Sequence, residues 1–207
     1  MSKRLIVIPR WSGTPASDWY PWLQRELGSV GRVGGPPPYR DLPLPFDPVV
    51  VSAMPNPGEP TISAWVGRVR QVLGSDPDEI ARTVIVGHSV GCQAVLRALA
   101  ELPEGVHVDG TLCVAGWFWT DAPWDSLMPW INTPFDLERA KRAAGRQMVV
   151  MISDNDPHTS DWRANRTAWQ DKLSASVVVV PGAHHFNGGQ YPIILQTLLD
   201  HFSKQGD

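Results

Sequence analysis

The chain has 207 residues, a formal net charge of −3 and 43% hydrophobic residues, which suits one domain with one substantial core. Acidic and basic residues are interspersed, which excludes the basic stripe of a nucleic-acid or anionic-membrane binder. No apolar run approaches the roughly 18 residues of a membrane span, and the two cysteines, Cys92 and Cys113, read as small core residues of a cytoplasmic protein.

The first apolar run, Leu5-Ile6-Val7-Ile8, stops at Pro9 and is too short for a signal peptide, so 4–8 is predicted as a core strand. A helix over 18–27 follows, with Pro21 tolerated in its first turn. The Pro- and Gly-rich stretch 31–48 predicts an irregular loop rather than an interdomain linker, and 48–53 a second strand. Ile62, Trp65, Val66, Val69, Val72 and Leu73 share one face of a helix that Thr61 can cap. The strand 83–87 runs into Gly87-His88-Ser89-Val90-Gly91, after which Cys92, Val95, Leu96 and Leu99 recur at helical spacing. Strands at 109–115, 147–153 and 176–180 alternate with helices at 135–144, closed by Gly145, at 161–173, capped by Thr159 or Ser160, and at 191–202. Strands alternating with helices predict a mainly parallel sheet covered on both faces, in a single domain spanning 1–207.

A strand ending in Gly-x-Ser-x-Gly and entering a helix is the nucleophile elbow of an α/β-hydrolase. The turn is sharp enough that side chains at Gly87 or Gly91 would collide with the neighbouring strand or helix. Ser89 needs a general base to take its proton, and the base needs an acid to hold its tautomer. In this plan they follow in the order Ser, acid, His. Downstream, Asp154-Asn155-Asp156-Pro157 follows the strand 147–153, and His184-His185-Phe186 follows the strand 176–180. Both sets lie past the carboxyl end of a strand, where an open parallel sheet places its ligand site. The residue types leave two choices open, Asp154 or Asp156 and His184 or His185.

The segments Asp18-Trp19-Tyr20-Pro21-Trp22-Leu23, Met54-Pro55-Asn56-Pro57, Gly87-His88-Ser89-Val90-Gly91, Ser153-Asp154-Asn155-Asp156-Pro157 and His185-Phe186 resemble the retinoblastoma-binding-protein-nine/YdeN family of small serine hydrolases. The resemblance implies a compact, lidless α/β-hydrolase with a six-stranded sheet in the order 2-1-3-4-5-6. It also implies a Ser-Asp-His triad: Ser89 as nucleophile, Asp156 as the acid preceding proline, and His185 as the base preceding phenylalanine. The insertion of His184 departs from the family's usual Gly-His-Phe.

The oxyanion hole is expected to use the backbone N–H of Val90, at a helix amino terminus, and one from the loop after the first strand, Trp11 first and Arg10 next. Some of the tryptophans of 116–135 are expected to form a shallow apolar cap. Trp117, Trp119 and His88, beside the nucleophile, are expected at the substrate pocket, and alanine at 117 or 119 to raise KM for longer acyl esters. The function expected is hydrolysis of small acyl esters through an acyl-enzyme, with no metal and no cofactor, by a monomer or weak homodimer whose partner is a small-molecule acyl substrate rather than nucleic acid or membrane. The alternatives are a protein-interaction module with this fold and little turnover, or a peptidase or amidase using the same triad.

Overall fold

The structure, a computed structural model, describes residues 2–29 and 45–203. Six strands, β1 (Lys3–Ile8), β2 (Phe46–Val51), β3 (Thr83–His88), β4 (Gly110–Val114), β5 (Met148–Ser153) and β6 (Ser176–Val180), form one sheet in the order β2-β1-β3-β4-β5-β6. Every adjacent pair is parallel. Among the described residues, eight α-helices flank the strands: α1 (Tyr20–Ser29), α2 (Ile62–Leu73), α3 (Pro77–Ala81), α4 (Val90–Ala100), α5 (Met128–Asn132), α6 (Leu137–Ala143), α7 (Trp162–Leu173) and α8 (Pro192–Phe202). Among the described residues, no helix is long and apolar enough to cross a membrane.

Alternate residues of each strand point to opposite faces, and both faces of the inner strands are buried, so β3, β4 and β5 are apolar nearly throughout. On one face Ile6, Ile8, Ile85, Cys113, Val150 and Ile152 pack against α2, α4 and α7, with Trp65 and Trp169 fully buried. On the other, Leu5, Val7, Val84, Val86, Leu112 and Met151 pack against α1 and α8. The valines of β6 remain half-exposed because β6 is a sheet edge.

Several element ends depart from expectation. The segment 31–48 lies outside the described residues up to 44, and β2 begins at Phe46, with Pro48 tolerated on an edge strand. Asp18 precedes α1 at φ 52° because its carboxylate is turned back to pair with Arg10, at 2.7 and 3.0 Å. Thr61 occupies the N-cap of α2, but its hydroxyl makes no capping bond. The cap of α7 is Asp161, accepting from the Ala164 N–H, and neither Thr159 nor Ser160; the Ser160 N–H is held by Asp121.

Candidate active site

The carboxyl ends of β3, β5 and β6 bring three predicted side chains together. Ser89 sits between β3 and α4 at φ 55°, ψ −119°, a conformation that costs a non-glycine residue about 1–3 kcal/mol. Its neighbours permit the turn. A Cβ at Gly87 would lie 2.7 Å from the Cys92 backbone, and one at Gly91 would lie 2.5 Å from the Ile8 carbonyl oxygen. The first turn of α4 thereby packs directly on the end of β1, and the Ser89 N–H donates to the Val114 carbonyl at the end of β4.

His185 Nε2 lies 2.8 Å from Ser89 Oγ, and His185 Nδ1 lies 2.7 Å from Asp156 Oδ2. A carboxylate only accepts, so Nδ1 carries the ring proton and Nε2 presents its lone pair to the serine O–H. All three side chains are buried. The second oxygen of Asp156 accepts from the His158 N–H at 2.9 Å, which fixes the carboxylate's rotation.

The neighbouring acid and histidine are used elsewhere. Asp154 accepts from the Gly182 N–H at 2.8 Å, Ser153 Oγ from the Ala183 N–H, and Asn155 Oδ1 from the His184 N–H. Three consecutive residues at the end of β5 thus grip three consecutive amides of the histidine loop. The His184 ring points away from Ser89, toward Asn155 Nδ2.

In the loop after β1, the N–H groups of Arg10, Ser12 and Gly13 donate to Tyr20 Oη, Pro57 O and Arg10 O. The Trp11 N–H is the one left without a protein partner among the described residues. The Val90 N–H is likewise free because it opens α4 and has no carbonyl four residues back within the helix. The proline-rich loop 54–60 props this region: the indole N–H groups of Trp65, Trp11 and Trp130 donate to Pro55, Gly58 and Pro60 carbonyls.

A cavity of about 110 Å³ opens over Ser89, small beside the roughly 300–1,000 Å³ of drug-sized ligand sites. Its apolar wall is Val90, Trp11, Trp117, Trp124 and Leu127, and its polar side is Arg10, Thr120, His158, His185 and Asn187. Trp124 meets Trp11 edge-on at 5.1 Å. His158 stands edge-on to His185 at 4.8 Å, and burial together with His185 lowers its pKa, so it favours the neutral ring.

Two expected pocket residues do not line this cavity. Trp119 is 36% exposed on the outer surface, its carbonyl accepting from Asn165 Nδ2. His88 is fully buried behind the elbow, between Tyr20 Oη and the His185 carbonyl. Trp124, from the tryptophan-rich stretch expected over the site, does line it, whereas Thr120, Leu127 and Asn187 carried no sequence signal that set them in the pocket. Leu127 lies in a short helical stretch that lacks the length for a readable period.

The stretch that walls the cavity is anchored from α4. Gln93 Nε2 donates to the Trp117 carbonyl, and Arg97 donates to the carbonyls of Trp130 and Thr133 at 2.8 and 2.9 Å. The Arg97 guanidinium also lies 4.4 Å from the centroid of the Phe135 ring. Burial pushes Arg97 down to about 10, which leaves it cationic at neutral pH. The helix that begins just after Ser89 thus also holds the pocket's tryptophan wall in place.

This parallel sheet, strained serine turn and acid-then-histidine order define an α/β-hydrolase. The serine hydrolase family model matches residues 5–198, and the chain belongs to that family. The chain is 23% identical to YdeN of Bacillus subtilis (strain 168) across 99% of both proteins. The crystal structure of the B. subtilis ydeN gene product superposes with a TM-score of 0.78 at 22% identity, covering 98% of this chain and 100% of that one. Est1E from Butyrivibrio proteoclasticus shares the fold at a TM-score of 0.64 and 13% identity, covering 96% of this chain and 86% of that one.

Proposed function

We propose that this serine hydrolase cleaves small acyl esters through an acyl-enzyme on Ser89. The observation that carries the reading is the continuous relay Ser89 Oγ, His185, Asp156, with links of 2.8 and 2.7 Å, at the floor of a cavity of about 110 Å³.

Ser89 Oγ attacks the acyl carbonyl carbon as its proton passes to His185 Nε2. Asp156 holds Nδ1–H and stabilises the imidazolium. The carbonyl oxygen, now negative, is received by the N–H groups of Val90 and Trp11, the two unspent amides beside the serine; each such donor contributes about 10²–10³ in kcat. His185 then returns the proton to the leaving alkoxide, the C–O bond breaks, and the acyl group remains on Ser89. A water molecule repeats the sequence, giving up its proton to Nε2, and releases the carboxylic acid and free serine. Residues of this chain supply every proton transfer.

The cavity's size and tryptophan wall support a short acyl group lying against Trp11, Trp117 and Trp124. This changes the sign of one expectation: alanine at Trp117 enlarges the pocket and admits longer chains rather than weakening their binding. A nitrophenyl ester panel tests the proposal. For the wild type, kcat/KM is expected to be highest for acetate to butyrate and about ten-fold or more lower for octanoate, since a misfitting methylene is worth about 1–3 kcal/mol. Trp117→Ala is expected to narrow that gap, and Trp119→Ala to leave it within about two-fold, as for a surface site. Turnover that rises steadily with chain length would contradict the small-acyl reading. Absence of turnover on every ester would favour the interaction-module alternative.

A further inference from the structure

His88 and Tyr20 lie outside the relay described above, yet both are fully buried within one side chain of it. Hydrogen-bond accounting fixes their protons. The His185 carbonyl, 2.9 Å from His88 Nε2, can only accept, so Nε2 carries a hydrogen. The Arg10 N–H donates to Tyr20 Oη at 3.1 Å, which leaves the Tyr20 O–H to donate to His88 Nδ1 at 2.7 Å. The bonds therefore run in one direction: Arg10 N–H to Tyr20 Oη, Tyr20 O–H to His88 Nδ1, and His88 Nε2–H to the His185 carbonyl. A second proton on His88 would point from Nδ1 at Tyr20 Oη, leaving the tyrosine hydrogen buried without an acceptor. Both groups are kept neutral: burial lowers the His88 pKa well below its usual value and raises that of Tyr20. The charged or titratable side chains that bear on the pair are Arg10, its ion-pair partner Asp18, the buried thiol of Cys92, and His185.

The ends of this chain give it a purpose. One end is the peptide immediately before the free Trp11 N–H. The other is the carbonyl of the residue whose ring faces Ser89. The histidine loop needs such a tie, because non-glycine residues on both sides of His185, His184 at φ 50° and Phe186 at φ 55°, lie in the left-handed region. Its amides 182–184 are held from the β5 side by Asp154, Ser153 and Asn155. From the β3 side, its carbonyl at 185 is held by His88.

We infer that His88 and Tyr20 are positioning residues that lock the oxyanion loop and the catalytic-histidine loop into one register, an inference that rests on the hydrolase reading above. The first x of Gly-x-Ser-x-Gly then has a defined task in this chain: a neutral imidazole, protonated on Nε2, spanning two loops that are distant in sequence. Removing any link uncouples the two ends. Because neither residue lines the cavity, the loss falls on kcat rather than on KM.

The test is the rate per titrated active site, counted by endpoint labelling with a fluorophosphonate, for wild type, Tyr20→Phe, His88→Gln and His88→Leu on nitrophenyl acetate. Tyr20→Phe keeps the ring that packs on Trp19 at 4.7 Å and deletes one O–H. Its kcat is expected to fall about 10- to 100-fold, the scale of a sub-ångström to 1 Å misplacement, with KM within about two-fold. Leucine at 88 is expected to lose about 100-fold. Glutamine, which offers an N–H donor and a carbonyl acceptor on one group, is expected to recover most of that loss. If the leucine variant does not fold, the phenylalanine and glutamine variants decide. In ¹⁵N NMR of the wild type, the His88 signals are expected to show protonated Nε2 and unprotonated Nδ1. A wild-type kcat in Tyr20→Phe, or a proton on Nδ1, overturns the inference. A wild type that does not label at Ser89 sinks the hydrolase reading itself, whereas a labelled wild type with an unaffected Tyr20→Phe sinks only the coupling.

Discussion

Replacing His185 with alanine is expected to lower kcat on a short nitrophenyl ester by about 10⁵- to 10⁶-fold, the scale seen when a triad base is deleted. The reason is geometric. His185 Nε2 is the group 2.8 Å from Ser89 Oγ, and without it the serine O–H loses the acceptor it is aimed at. The adjacent histidine cannot substitute, because its ring faces Asn155 and its backbone is already in the left-handed region. The matched control is His184→Asn, since asparagine tolerates a positive φ better than alanine does. That variant is expected to stay within about three-fold of wild type, as for a surface substitution. Steady-state kinetics on the two purified variants separates the pair. Equal losses at 184 and 185 would show that the loop, and not one imidazole, carries the effect.

Asp156→Asn is expected to cost about 10⁴-fold in kcat with little change in structure, because an amide presented to Nδ1 favours the wrong imidazole tautomer. Its Oδ1 can still accept from the His158 N–H, so the loop should keep its shape. Asp154→Asn is the contrasting variant. Asp154 works by accepting from the Gly182 N–H, a role that an asparagine oxygen can also fill. Its kcat is expected to change by less than about five-fold. Reversal of this order would move the triad acid to Asp154 and would require the histidine loop to adopt a different path.

Much of this architecture can be traced to local patterns. The inner strands carry continuous apolar runs because both their faces are buried, and the alternation with helices restricts the sheet to parallel order. The elbow was legible because the steric demand at Gly87 and Gly91 is written directly into residue type. Choosing Asp156 over Asp154, and His185 over His184, needed the resemblance, since the two members of each pair are chemically alike. In the structure Asp154 accepts from the Gly182 N–H and the His184 ring faces Asn155, while Asp156 and His185 stand in the proposed relay with Ser89.

The pocket was less legible. Trp117 and Trp119 are two residues apart in an irregular connection, and nothing local decides which turns inward. Asn165, which accepts from the Phe118 N–H and donates to the Trp119 carbonyl, holds the segment with Trp117 inside and Trp119 outside. His88 was placed beside the elbow, but its inward turn depends on Tyr20, 68 positions away in the chain. The capping of α7 by Asp161 was missed for a simpler reason: Thr159, Ser160 and Asp161 are all good caps, and Asp121 had already claimed the Ser160 amide.

The central claim is that Ser89 is a nucleophile activated by His185. Its most direct measurement is fluorophosphonate labelling of the purified protein, with intact mass and peptide mapping, for wild type and Ser89→Ala. The account predicts one adduct per chain, on Ser89, in the wild type and none in the alanine variant. An unlabelled wild type, or an adduct that persists in Ser89→Ala, would contradict it.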